Sequence, residues 1–570
     1  MSFRSEFEQA RDFLILHRAD YEYAYNNFRW PELENFNWAL DYFDEMAAEN
    51  VKTALWLVDE SGKEERYSFL ELSQRSNQVA NYLRKLGVKK GDHLLLMVGN
   101  DVAQWEVLLA SMKVGAIVVP TSSLLSAEEL EDRLIRGSIR AIVTTKQDAS
   151  RFNITATGIA KVVVDGAHGD WSDYAEATQE SIDFVPTEIT KATDPLLLYF
   201  TSGTTAKPKL VEHTHQSYPV GHLSTMYWIG LRPGDVHMNI SSSGWAKHMW
   251  SNFFAPWNAE ATVFIFKEAR FDAKQVLQTL EKYKVTSLCA PPTVWRMFAA
   301  EDVAQYKMSF RELVSAGEPL EAALLQKIEN AWGVPIRDGY GQTETTALIG
   351  NSPGQRIKEN SVGRPLPGYR IKLLNREGDV SPEGEICVDL SYKALGLMSG
   401  YKEQTTETPN LQKEYYHTSD VGALDEDGYI TFVGRVDEIF KCSDYRISPF
   451  ELESVLLEHP AIREVAVIPS PDALRLNVPK AVVFLAKGFE PTKDIALSIM
   501  THSRTKLAPF KRIRRVEFAD LPKTSSGKIR RLELQLREKR KITTQEKSPY
   551  EFWEEDFKAT LPEIWAQDLP

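Results

Sequence analysis

Between Val51 and Val164, short apolar runs of strand length alternate with segments of helical spacing. Leu72, Val79, Ala80, Leu83 and Leu86 mark one face of a helix, and Gly87 supplies its stop. Leu94–Val98 is an unbroken apolar run. Val102–Val114 reads as a second helix ending at Gly115, and Ile117–Val119 as the next strand. Ala141–Thr145 and Lys161–Val164 read as further strands. Strands without a polar face must be covered on both sides, so the pattern predicts a layered α/β fold with largely parallel sheet. It resumes with a helix over Val276–Tyr283, a strand over Val285–Ala290, a helix opened by Pro291-Pro292-Thr293 and another over Glu321–Trp332.

At 570 residues the chain exceeds one ordinary domain. From Ile371 to Phe432 the texture changes to short β-like pieces with turn signals at Arg376–Asp379, Pro382–Gly384 and Asp425–Gly428. After Gly434 a new unit starts. Ser448 is a cap residue, Pro449 sits at the first helical position and Glu451 stands where a capping box places glutamate, which predicts a helix to His459. Val465–Ile468 and Ala481–Leu485 read as strands and Ala496–Leu507 as a helix. The expected division is a large α/β domain over 1–434, with a β-rich subdomain at 371–434, a small α+β domain over 441–540 and an acidic aromatic tail over 541–570. Glu6–Arg18 predicts a helix lying on the surface, with no chemistry.

A net charge of -13 argues against a nucleic-acid binder but allows a local basic funnel for an anionic ligand. Cys289, Cys387 and Cys442 are far apart, with no zinc spacing and no disulfide framework. Reduced thiols in a cytoplasmic compartment are expected. The N-terminus lacks an apolar signal core, and no run approaches the length that spans a bilayer.

The chemistry concentrates in a few stretches. Leu196–Phe200 leads into Thr201, Ser202, Gly203, Thr204, Thr205, Ala206, Lys207, Pro208 and Lys209. Hydroxyls and free backbone N–H groups suit phosphate oxygens, and lysines neutralise them. It is not a Walker loop, which needs glycine directly before Lys-Ser or Lys-Thr. Asp338, Gly339, Tyr340, Gly341, Gln342, Thr343 and Glu344 form a second constellation. There Tyr340 can lie against a flat ligand, Thr343 can bond an oxyanion and Glu344 is a hard oxygen ligand suited to Mg2+. Weaker signals are Ala316-Gly-Glu-Pro319, Thr418-Ser-Asp420, Gly434–Lys441 and Pro522–Lys528, whose Lys528 follows a flexible glycine.

Taken together and in this order, these stretches resemble the adenylate-forming, AMP-binding superfamily over about Phe36 to Arg540. The likeness is strongest to medium-chain acyl-CoA synthetases, through Gly244-Trp245, Ala255-Pro-Trp257, Ala290–Thr293, Tyr340–Glu344 and Tyr445-Arg446. The resemblance implies an AMP-forming ligase that uses ATP, Mg2+ and coenzyme A to activate a short-to-medium or branched carboxylic acid. It implies that Thr201–Lys209 hold the ATP phosphates and that Gly317, Glu318 and Asp338–Gln342 form the adenine side. Thr343 would contact the α-phosphate, Glu344 would bind the metal, and Asp420 would take the ribose hydroxyls with Arg435 nearby. Asp437 matches a hinge over 435–440, and Lys528 matches the lysine that completes adenylation. Ser443, Asp444, Tyr445 and Arg446 match the loop lining the CoA channel. Trp245 would wall the acyl pocket. Gly341 would leave room for a longer acid, because acetate-specific relatives carry tryptophan there. Ala206, Ser419 and Asp444 replace the usual glycines. Asp444 adds bulk and charge where pantetheine passes, so the alternative reading is transfer to another acceptor, such as a carrier-protein thiol. A homo-oligomer is left open.

Overall fold

The computed structural model describes residues 5–152, 158–201, 208–317, 320, 322–358, 360–403, 411–412, 414–442, 445–472, 475–523 and 528–557. The chain divides into two compact units. One comprises Met1–Ile371, Val388–Tyr416 and Asp425–Ile430, and the other Lys372–Cys387, His417–Leu424 and Thr431–Pro570.

The first unit is the layered α/β body that the alternation predicts. Among the described residues, one eight-stranded sheet runs Gly400–Tyr401, Lys209–Thr214, Pro195–Thr201, Ile117–Pro120, His93–Met97, Ile139–Thr144, Ala160–Val163, Ser172–Asp173. Its central pairs are parallel, and Lys209–Thr214 is antiparallel to both neighbours. A nine-stranded sheet carries the central order Ile336–Gly341, Glu312–Ala316, Ser287–Cys289, Val236–Asn239, Thr262–Lys267, Thr53–Asp59, all parallel, with antiparallel strands at its edges.

Local signals set the helix ends. Asp101 accepts from Ala103 N–H at the start of Val102–Val114, and Gly115 closes it in the left-handed conformation. Every residue of that helix is buried, as an apolar helix between layers requires. Ser68 and Glu71 form a reciprocal capping box for Phe69–Lys85. The N-terminal helix, Glu6–Leu16, differs from expectation. Phe7, Ala10, Arg11 and Leu14 recur at i, i+3, i+4 and i+7 and are buried, so it packs into the body. Arg11 donates to Tyr42 Oη and pairs with Glu260.

The β-rich stretch gives a five-stranded sheet from Ile371–Leu374, Glu383–Asp389, Tyr415–Leu424, Leu411–Gln412 and Ile430–Arg435. Gly400–Tyr401 from the same stretch instead extends the eight-stranded sheet beside Lys209–Thr214.

In the second unit, Ile462–Asp472, Leu476–Leu485, Arg515–Phe518 and Glu551–Trp553 form a four-stranded sheet. Helices Pro449–Leu456, Lys493–Lys506 and Arg531–Thr544 accompany it. Ser448 caps the first of these by accepting from Glu451 N–H, while the Glu451 carboxylate pairs with Lys511. The acidic tail docks through Phe557. Its strand pairs antiparallel with Arg515–Phe518, and Phe557 joins a core containing Leu452, Val467, Val483, Ile499 and Val516. Among the described residues, no helix is long and apolar enough to cross a membrane.

Candidate active site

In the first unit, the parallel strands of the larger sheet end together. Asn239 is level with Cys289, Cys289 with Val314, and Ala316 with Gly339. Crevices at such carboxyl ends are where open α/β sheets take ligands. Gly317, with a φ of +113°, turns the chain immediately beyond one of them. Lys247 donates to Ala316 O at 3.2 Å, which places a cation over this edge that the sequence reading missed.

Asp338 lies beside it on Ile336–Gly341. Its Oδ1 accepts from Gly339 N–H at 2.8 Å. Burial raises its pKa to about 7, against the opposing pull of that N–H and of Lys247. Two glycines of this strand have close neighbours. A Cβ at Gly339 would collide with the ring of Trp228, whose Nε1–H donates to Asp338 O at 3.0 Å. A Cβ at Gly341 would collide with the Thr346 carbonyl oxygen. Strand packing therefore demands glycine at 341, in addition to any demand from an acyl pocket. Trp245 is half-buried at the start of the short helix Ala246–Met249.

The eight-stranded sheet supplies the facing groups. Thr201 and Lys209 are paired in register and bracket Ser202, Gly203, Thr204, Thr205 and Lys207, which lie outside the described residues, as does Glu318. The Lys209 ammonium sits 4.7 Å from the ring centroid of Tyr401. Tyr401 Oη donates to Glu344 Oε1 at 2.9 Å, and Met398 N–H donates to Glu344 O at 2.9 Å. Glu344 is thus held at both ends. His213, on the same strand face as Lys209 by the two-residue alternation, hydrogen-bonds Thr343 O through Nε2 at 2.7 Å. Burial lowers its pKa to about 4, so the ring is neutral and donates from Nε2. Gln342 Oε1 accepts from Tyr416 Oη at 3.0 Å. The structure therefore brings Lys209, Thr343 and Glu344 together. His213 and Tyr401 do the positioning, and neither stands out in the sequence, although His213 follows closely on the 201–209 stretch.

In the second unit, Asp420 is buried, with its N–H bonded to Thr418 Oγ1 at 3.1 Å. Arg435 is 3.5 Å from Asp420 and 3.0 Å from Asp437, which groups these three carried-over residues. Tyr445 is exposed and stacks on Phe510, with centroids 4.1 Å apart. Arg446 is placed only as backbone opposite Lys441, and Ser443 and Asp444 lie outside the described residues. Lys528 is exposed beside the bridge between Lys523 and Ile529.

The first unit is thus a layered α/β protein presenting a cation, a carboxylate and backbone groups at strand ends, an arrangement for a phosphate-bearing ligand. The AMP-binding enzyme model matches residues 43–402, and the AMP-binding enzyme C-terminal domain model matches 451–528. The chain belongs to the AMP-binding enzyme family. It is 42% identical to 4-hydroxybutyrate--CoA ligase 1 of Metallosphaera sedula, over 90% of this chain and 92% of that one. It is 35% identical to the mitochondrial acyl-coenzyme A synthetase ACSM3 of Rattus norvegicus, over 91% and 93%. The crystal structure of the anthranilate CoA ligase AuaEII with anthranoyl-AMP aligns with a TM-score of 0.80 at 30% identity, over 89% of this chain and 98% of that one.

Proposed function

We infer that the chain is an AMP-forming acyl-CoA ligase acting on a short-to-medium, branched or hydroxylated monocarboxylic acid. The observation that carries this is the coupling of Glu344 through Tyr401 to the strand that bears Lys209. A hard carboxylate beside a cation suits a nucleoside triphosphate with its divalent ion. Glu344 is the residue that would hold Mg2+, an ion that usually takes one or two protein carboxylates and completes its shell with water and substrate phosphates. When bound, the ion neutralises charge on the phosphates.

The substrate carboxylate attacks the α-phosphorus of ATP. A carboxylate O–P bond forms, the α–β bridging P–O bond breaks, and pyrophosphate leaves. Lys528 and Lys209 offset charge that develops on the phosphates, and Thr343 donates to an α-phosphate oxygen. A thiolate of CoA then attacks the acyl carbon, and AMP leaves. Asp437 would serve as the hinge between the two half-reactions. Relatives that span about nine-tenths of this chain and are named a CoA ligase and an acyl-coenzyme A synthetase favour CoA over a carrier protein as acceptor. Three buried, unbridged cysteines support a reducing compartment such as the cytoplasm.

ATP–pyrophosphate exchange with straight, branched and 4-hydroxylated acids of rising length tests this reading. Absence of exchange with every simple monocarboxylate would refute it. Lys528→Ala should lower exchange by about 10²–10³-fold while sparing thioester formation from supplied acyl-AMP. Equal loss of both half-reactions would remove Lys528 from its assigned role.

A further inference from the structure

The three cysteines show no metal-binding spacing in the sequence, but folding changes the company of one of them. Glu385 and Cys387 lie two apart on Glu383–Asp389, so they share a face of the strand. His417, on Tyr415–Leu424, meets both of them. Its Nδ1 is 2.9 Å from Glu385 Oε2 and 3.5 Å from Cys387 Sγ. The three donor atoms all lie within 4.8 Å of one another. Cys387 is buried, whereas Glu385 and His417 are partly exposed, so the cluster has a deep sulfur and an open rim.

These are the spacings of a coordination shell. Metal–sulfur and metal–nitrogen bonds of about 2.3 and 2.0 Å, at tetrahedral angles, put sulfur and nitrogen about 3.5 Å apart. Nitrogen and oxygen donors at about 2.0–2.1 Å come within about 3 Å of each other when their angle is near 90°. The donor types agree with one another. Thiolate and imidazole favour zinc and its borderline neighbours over magnesium or calcium. The second carboxylate oxygen, Glu385 Oε1, is fixed by Ser419 N–H at 2.8 Å, an orienting bond of the kind that outer-shell groups supply to metal ligands.

We propose that Glu385, Cys387 and His417 form a binding site for a borderline divalent transition ion such as Zn2+, separate from Glu344, and that its occupancy controls the segment bearing Asp420. Binding replaces the thiol proton, which leaves to solvent, by a sulfur–metal bond. The imidazole proton moves from Nδ1 to Nε2 as Nδ1 ligates. Recruiting Glu385 pulls on its bond to Ser419. That residue holds a left-handed φ of 62°, its carbonyl accepts from Val436 N–H at 2.9 Å, and it directly precedes Asp420. The control, though not the site itself, rests on reading Asp420 as the ribose ligand.

Titration of the full chain with Co2+, followed by thiolate-to-cobalt charge-transfer absorption, tests the site without any activity. One equivalent should give the band. Cys387→Ser should abolish it, His417→Ala should weaken binding by about tenfold or more, and Cys442→Ser should leave it intact. No band in the unaltered protein, or an undiminished band in Cys387→Ser, overturns the site. Circular dichroism checks that each variant folds, and Glu385→Gln provides a third ligand test should Cys387→Ser fail that check. Control is read by ATP–pyrophosphate exchange with Zn2+ under excess Mg2+. Exchange should fall in the unaltered protein and persist in Cys387→Ser. Undiminished exchange in protein shown to hold one equivalent of metal overturns the control. Lack of exchange in metal-free protein counts against the ligase reading and leaves the cobalt result standing.

Discussion

Lys113 and Lys480 are both fully buried, and the fold accommodates them in opposite ways. Lys113, near the end of the core helix, has one carboxylate, Asp44 at 2.7 Å. Its other partners are neutral: Asn77 Oδ1, Ser76 Oγ and Ser73 O at 2.7, 2.9 and 3.2 Å. Lys480 has three carboxylates, Glu538, Glu551 at 2.8 Å and Glu517 at 2.9 Å. Burial opposes the charge at both sites. It prevails at Lys113, whose pKa is lowered, whereas Glu538, Glu517 and Glu551 together outweigh it at Lys480, whose pKa is raised. The number of ionic partners, and not depth, decides the sign. The placement differs as well. Lys113 joins pieces close to its own helix, while Lys480 joins a strand, the helix Arg531–Thr544 and the tail strand. That helix begins three residues after Lys528, so the glutamate cluster anchors the stem from which Lys528 projects.

The largest expected effect is that of Lys480→Met. Glu538 would stay buried without its cation, while Glu517 and Glu551 would be left to share Lys541, with Arg537 also on Glu517, which should cost the second unit about 3–5 kcal/mol. Calorimetry should show its transition falling while that of the first unit holds. Lys113→Met should cost about 1–3 kcal/mol, because one carboxylate and three neutral acceptors lose a partner. Equal losses in the two variants would break the contrast.

Alkali sharpens it. Lys113 binds its proton less tightly folded than unfolded, so the first unit should gain stability as pH rises towards 10.5. Lys480 binds more tightly folded, so its contribution is complete below 10.5 and lost above it. Unfolding of each unit followed across that range should show opposite slopes. Asp338 extends the comparison to a buried carboxylate that has no bonded ion partner among the described residues. Its raised pKa makes the first unit lose stability from about pH 4 up to about 7, and none beyond. Asp338→Asn, which keeps an oxygen for Gly339 N–H, should therefore stabilise the ligand-free protein by about 1–2 kcal/mol at pH 8. The smallest effect is expected from Glu551→Gln, about 1 kcal/mol, since two carboxylates remain on Lys480.

The sequence was most legible where local signals and burial agree. Val102–Val114 has its cap, its αL glycine and an apolar surface all pointing one way, and it forms with those bounds. Ser287–Cys289 falls inside the run read as a strand, shortened because pairing with both neighbours covers only those three residues. The tail was less legible. Its strand Glu551–Trp553 opens on a buried glutamate, whose charge is neutralised by Lys480 and Lys541 once the fold brings them near. The candidate site residues Lys209, Thr343 and Glu344 belong to stretches whose composition announces phosphate chemistry. Their supports do not. Tyr401 and His213 act through single hydrogen bonds to partners 57 and 130 residues away, distances that no local pattern encodes. The surroundings of Cys387 are hidden in the sequence for the same reason, because His417 lies 30 residues downstream.

The crowding at Gly341 bears on efforts to redesign the acid range. Because a Cβ at 341 would meet the Thr346 oxygen, a bulkier residue there requires a shift in the hairpin that also carries Thr343 and Glu344. A substitution at 341 would therefore move Thr343 and Glu344 together with any pocket wall, so that change alone could not separate an effect on acid range from one on nucleotide handling.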